Sequence, residues 1–224
     1  MPALLAVSHG TSSVRGAAAI AALVDGVAAR LPGIEVRAAF VDVQQPDAAS
    51  AVRATGGPLV VVPLLLSTGF HVRVDLQTAV AGRPDAVVAP PLGPDARLAQ
   101  VLADRIPDHR PVILAAAGSR EPASAPACER AAALLRERVD APVHLAYLAA
   151  RTPTLPDVAA RHPDALVVPY LLAHGFFHDL ATRQAPGHTV TAPLLDGQEV
   201  PDALIDLVVA RFTAAAADHR STPQ

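Results

Sequence analysis

The chain carries one pattern twice in tandem, so it must fold as two versions of a single unit. Ser8-His9-Gly10 follows an apolar run, and Ala117-Gly118-Ser119 follows another. Phe40-Val41-Asp42 with Pro46 returns as Tyr147-Leu148-Ala149 with Pro153. Pro63-Leu64-Leu65-Leu66, leading to Gly69-Phe70-His71 and Asp75-Leu76, returns as Pro169-Tyr170-Leu171-Leu172, leading to Gly175-Phe176-Phe177 and Asp179-Leu180. Pro91-Leu92 matches Pro193-Leu194. The spacing between equivalents shrinks steadily along the chain, as expected for an ancestral unit whose second copy lost loop residues. The copies differ where chemistry is concentrated: His9, Asp42 and His71 correspond to Ala117, Ala149 and Phe177. Three polar groups kept together in one copy and lost together in the other suggest one site, not two.

Each copy holds four short Val/Leu-rich runs. In the first they are Ala3–Val7, Ile34–Val41, Leu59–Val62 and Ala86–Ala89; in the second, Val112–Ala116, Val143–Tyr147, Ala165–Val168 and His188–Ala192. Such runs suit strands buried on both faces. Helical stretches intervene at Val14–Arg30, Pro46–Ala54, Arg97–Arg105 and Ala125–Val139. The alternation predicts an α/β fold of two tandem lobes, each a four-stranded parallel sheet flanked by helices and wound like a flavodoxin. The expected lobes are residues 1–106 and 107–224, joined through the charged, proline-rich Asp104–Pro111. The tail from Asp218 onward is expected to fray.

Composition removes several function classes. The chain has 224 residues, is 51% hydrophobic and 17% charged, and so belongs with globular proteins. A net charge of −3 and 3% aromatic content offer neither a basic stripe nor stacking surfaces for nucleic acid. All 18 basic residues are Arg, which excludes lysine Schiff-base chemistry. The single cysteine, Cys128, excludes an internal disulfide and a Cys-rich metal site, and is read as a packing residue. No basic leader or 18-residue apolar stretch is present, so a cytoplasmic protein without a membrane span is expected.

In parallel sheets ligands bind at the carboxyl ends of the strands. His9 falls just past the first strand, Asp42 at the end of the second, and His71 beyond the third and its Ser67-Thr68-Gly69 turn. Two imidazoles and a carboxylate there would make an open site for a divalent first-row metal. The competing structural reading has His9 capping the following helix with Ser8 and Thr11. Asp75, four residues after His71, could accept its second ring proton, yet Asp179 persists where the histidine is lost, which favours a structural role. His174 and His178 share an i, i+4 spacing weakened by Gly175. His109, His144, His162, His188 and His219 show no partner pattern and read as solvated or capping. A phosphohistidine phosphatase would want Arg where Ser8 stands.

These motifs resemble the class II tetrapyrrole chelatases, the sirohydrochlorin cobalto- and ferrochelatases of the CbiX and SirB type. The resemblance rests on Ser8-His9-Gly10-Thr11, on Phe40-Val41-Asp42 with Pro46, and on Val61-Val62-Pro63-Leu64-Leu65-Leu66 leading to Gly69, His71, Asp75 and Leu76. It covers essentially the whole chain and implies a chelatase-like fold whose two lobes enclose a cleft for the macrocycle. The implied reaction is ATP-independent insertion of Co²⁺ or Fe²⁺ into sirohydrochlorin, towards cobalamin or siroheme. The metal is a substrate, Ni²⁺ is not separated from the other two by ligand type, and no organic cofactor is implied. Family histidines map onto His9 and His71 as metal ligands, and the family carboxylate, usually Glu, maps onto Asp42. The family's His-Gly-Ser-Arg reads His9-Gly10-Thr11-Ser12 here, with Arg15 the nearest basic group. Ser8, Gly10, Thr11, Arg15, Ser67, Arg73, His174 and His178 are candidate substrate contacts, and Arg120, Arg151 and Arg183 further carboxylate anchors. A non-catalytic tetrapyrrole or metal carrier on the same fold is the alternative. A monomer is expected to suffice, since both repeats lie in one chain.

Overall fold

A computed structural model describes residues 1–67 and 70–221, except for the side chains of residues 70–73 and 220–221. The elements run β1 (Ala3–Ser8), α1 (Val14–Arg30), β2 (Val36–Phe40), α2 (Ala48–Ala54), β3 (Leu59–Pro63), α3 (Phe70–Val80), β4 (Ala86–Val88) and α4 (Ala96–Ala103). They continue with β5 (Val112–Ala116), α5 (Ser124–Arg136), β6 (Val143–Tyr147), α6 (Leu155–Arg161), β7 (Leu166–Tyr170), α7 (Phe176–Gln184) and α8 (Asp202–Ser221). All strand pairs are parallel, in the orders β2-β1-β3-β4 and β6-β5-β7. The fold is the α/β alternation that the apolar runs predict.

The central strands are buried along their whole length, as a strand covered on both faces requires. On one face of the first sheet, Leu5, Val7, Ala39, Leu59 and Val61 pack with Val52 of α2 and Leu76 and Val80 of α3. In the second, Ile113, Ala115, Ala146 and Val167 pack with Leu155 and Val158 of α6 and Ala181 of α7. Truncating a leucine such as Leu5 or Leu59 to alanine in such surroundings costs about 2–5 kcal/mol.

Three expectations are corrected. The second sheet has three strands, not four: His188–Ala192 contributes a single bridge, Val167 to Val190. Leu59 N–H donates to the Asp85 carbonyl (2.8 Å), but its counterpart Ala165 donates to His162 (3.0 Å) instead. Val167 N–H donates to the Thr189 carbonyl and Thr191 N–H to that of Val167 (2.9 Å each), and among the described residues this pair of bonds is all that joins them.

The compact units also depart from the 1–106 and 107–224 division. One is Met1–Leu92 with the chain from Val200 onward, and the other is Gly93–Glu199. Each thus takes the last helix of the other copy. α8 packs on α1, β3 and β4. Gly26 admits it, since a Cβ there would lie 2.7 Å from Ile205 Cδ1. Arg30 bridges to Asp202 (2.6 Å) and Asp206, and Arg211 donates to the Pro91 and Leu92 carbonyls (2.9 and 3.1 Å). The exposed ion pairs add little; the guanidinium on backbone carbonyls and the buried Leu204, Leu207, Val208 and Phe212 supply the attachment. In the second unit α4 packs on α5, and Arg105 just beyond it donates to the Leu194 carbonyl (2.9 Å).

Finally, α8 continues through Asp218 to Ser221, where fraying was expected. The segment Asp104–Pro111 carries neither helix nor strand, and no described helix is long and apolar enough to cross a membrane.

The second unit contains a histidine cluster that spacing did not reveal. The His144 and His162 rings stack with centroids 3.8 Å apart, and His188 Nε2 donates to the His162 carbonyl (3.1 Å). Burial first, then His162, Arg136 and Arg161, hold the His144 imidazole below its ordinary value of 6.5. The unfolded chain therefore binds more protons at this residue than the folded chain does. Its contribution to stability is present above about pH 6.5 and is lost as the pH falls below it. We expect the melting midpoint to drop from pH 7.5 to 5.5, and His144→Phe, which keeps a ring but cannot titrate, to reduce that drop. Identical pH profiles for the two proteins would contradict this assignment.

Candidate functional site

The end of β1 and the end of β2 are tied into one backbone assembly. Val41 N–H donates to the Ser8 carbonyl (2.9 Å) and Asp42 N–H to the His9 carbonyl (3.0 Å), continuing the ladder one rung past the sheet. Gly10 lies beneath this rung at φ +93°, and a Cβ there would stand 2.0 Å from the Asp42 carbonyl oxygen. Only glycine meets both the conformation and the space. Gln44 reaches back from the second loop, its Oε1 accepting from Thr11 N–H (2.9 Å). His9 and Asp42 are thereby held on adjacent loops at the carboxyl edge of the sheet, and both are exposed. The Asp42 carboxylate also accepts from Val43 N–H (2.7 Å), where the chain turns through φ +66°.

The second copy repeats this backbone without its polar groups. Leu148 and Ala149 donate to the Ala116 and Ala117 carbonyls (2.9 and 3.0 Å). Gly118, at φ +86°, lies so that a Cβ would stand 1.9 Å from the Ala149 carbonyl oxygen, and Ala150 turns through φ +61°. Arg151 takes the place of the Gln44 brace: Nε donates to the Ser119 carbonyl (2.5 Å) and Nη2 to that of Glu121. The loop scaffold is thus a property of the fold, and His9 and Asp42 are additions to it in one copy.

The structure sorts the remaining candidates. His71 and Arg73 lie in the first turns of α3, not on a loop, and their side chains fall outside the described residues, as do Thr68 and Gly69. Among the described residues no group of three His, Cys, Asp or Glu could hold a metal ion. Asp75 is exposed and lines a cavity of about 510 Å³ with Arg53, Thr78 and Arg83. Ser8 is 2% exposed and its Oγ has no hydrogen-bond partner among the described residues, so its side chain lies beneath the site and not on its surface. Its counterpart Ala116 is equally buried without a hydroxyl. Thr11 Oγ1 accepts from Ser13 N–H (3.1 Å), and Ser13, not His9, caps α1 by accepting from Gly16 N–H (3.2 Å). This removes the capping reading of His9. Ser67 is half-buried and Arg15 exposed on the first turn of α1.

In the second unit, His174 precedes α7 and His178 lies within it, so the pair does not share a helix face. Their rings meet edge to face with centroids 4.4 Å apart, and His178 Nε2 donates to the Thr191 carbonyl (3.2 Å). Arg151 spends Nε and Nη2 on the Ser119 and Glu121 carbonyls. Arg183 stands over the exposed Phe176 ring at 5.9 Å, and Arg120 is exposed. Cys128 is buried, and burial pushes its thiol above the ordinary value, as befits a packing residue. Gln44 was not among the sequence candidates; a glutamine two residues past an acid has no distinguishing spacing.

Among solved structures the chain is similar to SirB from Bacillus subtilis with Fe³⁺, at 22% identity and TM-score 0.79, covering 99% of this chain and 98% of that one. It is similar to SirB from Bacillus subtilis subspecies spizizenii in complex with cobalt, at 21% identity and TM-score 0.77, covering 97% of each. CbiX, the terminal enzyme for siroheme biosynthesis in denitrifying bacteria, matches at 23% identity and TM-score 0.66, over 93% of this chain and 98% of its own. At these identities the likeness is one of fold. Comparison with curated protein sequences finds no match. The sequence profile of the CbiX family matches residues 3–109 and 111–194, nearly the whole chain, and the protein therefore belongs to the CbiX family.

Proposed function

We propose that this protein is a sirohydrochlorin chelatase, an enzyme that inserts Co²⁺ or Fe²⁺ into a sirohydrochlorin-type tetrapyrrole without ATP or an organic cofactor. The observation that carries the reading is the backbone assembly that holds an exposed His9 beside an exposed Asp42 in one copy and only alanines in the other. Family membership supports the reaction class. The Fe³⁺ and cobalt held by the two SirB structures support the class of metal. A monomer and a cytoplasmic setting belong to the same proposal.

Insertion exchanges the two inner pyrrole N–H protons for one divalent metal, so the site must present the metal and accept protons. In this reading His9 and His71 hold the metal through neutral imidazole nitrogens. Few protein ligands leave coordination positions open to the macrocycle and keep the metal weakly enough bound to hand over. Asp42 takes a released proton or orients the incoming ring; its carboxylate, one methylene shorter than glutamate, is fixed by its bond to Val43 N–H. Exposure of both side chains suits a flat substrate that approaches from outside the sheet edge. Carboxylates on the macrocycle would meet arginines such as Arg15 and Arg73.

Multiple-turnover insertion, followed by the absorbance change of sirohydrochlorin with Co²⁺ or Fe²⁺, tests the proposal. We expect His9→Ala to lower kcat/KM by about 100-fold, and Asp42→Ala by about 10-fold, with Asp42→Glu retaining activity. Because both side chains are exposed, stability should change by no more than about 0.5 kcal/mol. One metal bound per chain without turnover would leave only the carrier function.

The glycines offer a second comparison. Gly10→Ala and Gly118→Ala each force a Cβ onto a carbonyl oxygen at positive φ and should each cost about 2–4 kcal/mol. Only Gly10→Ala should abolish insertion by the folded fraction, because only that loop carries His9. Equal loss of activity in the two, measured at equal folded concentration, would place the chemistry elsewhere.

A further inference from the structure

Large apolar side chains standing in solvent are few among the described residues, and two of them flank the candidate site. Val43, adjacent to Asp42, is 60% exposed, and Val14, which opens α1 three residues past Thr11, is 86% exposed. Val43 also occupies the left-handed region at φ +66°, where a β-branched side chain is an outlier. The fold explains the backbone conformation, because Ala150 repeats it at φ +61° in the second copy. It does not explain the valine. Glycine or asparagine would adopt this conformation with less strain, and so exposed an apolar group recovers little from burial within the chain. Retaining it beside Asp42 makes sense if something apolar covers it.

We propose that Val43 and Val14 form an apolar platform that receives the flat face of the macrocycle and sets its height over His9 and Asp42. The inference rests on the chelatase reading and deepens it. A tetrapyrrole has an apolar conjugated face, a carboxylate-bearing rim and a centre at which the metal enters. The arrangement here answers the first and the last: apolar surface on the loop after β2 and at the start of α1, and an imidazole and a carboxylate on the loops after β1 and β2. Those loops are locked together by the Asp42 to His9 and Thr11 to Gln44 hydrogen bonds, and Thr11 joins the start of α1 by accepting from Ser13 N–H, so Val43, Val14 and the polar pair are tied to one another through the backbone. The second copy carries the smaller Ala150 at the strained position, in step with its loss of the histidine and the carboxylate.

The test is titration of metal-free sirohydrochlorin into the protein, followed by absorbance, alongside steady-state insertion kinetics. Val43→Asn, which suits the left-handed backbone but is polar, should raise both Kd and KM for the macrocycle about five-fold and leave kcat within about two-fold. Val43→Leu should bind as the unaltered protein does, and adding Val14→Ser to Val43→Asn should weaken binding further. Titration with Co²⁺ alone should be unchanged in all variants, and the melting midpoint of Val43→Asn should be equal or higher. An unchanged Kd in Val43→Asn, or equal weakening in Val43→Leu, would overturn the platform. If the unaltered protein binds the macrocycle with the Val43 dependence but inserts no metal, the platform stands and the chelatase reading falls.

Discussion

The hydrogen bond from Asp42 N–H to the His9 carbonyl, with Gly10 pressed beneath the Asp42 carbonyl, sets the relation on which the candidate site depends. Strand β1 ends one residue before His9 and β2 two residues before Asp42, and this bond carries their pairing into the two loops. Glycine permits the approach, since any side chain at position 10 would occupy the carbonyl's space. Gln44 then ties the far side of the second loop to Thr11. The consequence is that an imidazole and a carboxylate from positions far apart in sequence are presented together by rigid backbone, with their side chains in solvent. Preorganisation of this kind suits the proposed reaction, in which a metal must be held and then released.

Duplication separates what the fold needs from what the chemistry needs. Gly118, the Ala149 to Ala117 bond and the turn at Ala150 reproduce the scaffold in full, so its persistence reflects stability. The buried hydroxyl of Ser8, the His9 ring and the Asp42 carboxylate have no counterparts there, since alanine stands at all three places. The second unit uses histidine differently: His178 bonds to the Thr191 carbonyl, and His144 stacks on His162.

Much of this was readable in the sequence because the copies act as internal controls. The buried strands announce themselves as apolar runs, and comparing His9 with Ala117 and Asp42 with Ala149 isolates the polar pair. Other features leave no such trace. The exchange of α4 and α8 between units is invisible to a repeat, because periodicity records which elements exist and not which sheet a helix covers. The reduction of the second sheet depends on whether the Ala165 N–H turns to His162 or to a fourth strand, a choice made by loop geometry. The His144–His162–His188 cluster draws on three separate elements, and no spacing rule links them. The backbone bonds of Arg151 leave no trace either, because exposed guanidiniums and backbone-braced ones read alike in sequence. The side chain of His71 lies outside the described residues, so its assignment as a second ligand belongs to the proposed function and rests on the motif.

The proposed function requires one metal site per chain, in the first copy, with His9 as a ligand. Crystals of the protein equilibrated with Co²⁺ and measured at the cobalt absorption edge test this. We expect one strong anomalous peak about 2.1 Å from a ring nitrogen of His9. A principal peak at the stacked His144 and His162 rings, or beside His174 and His178, with none at His9, would contradict it.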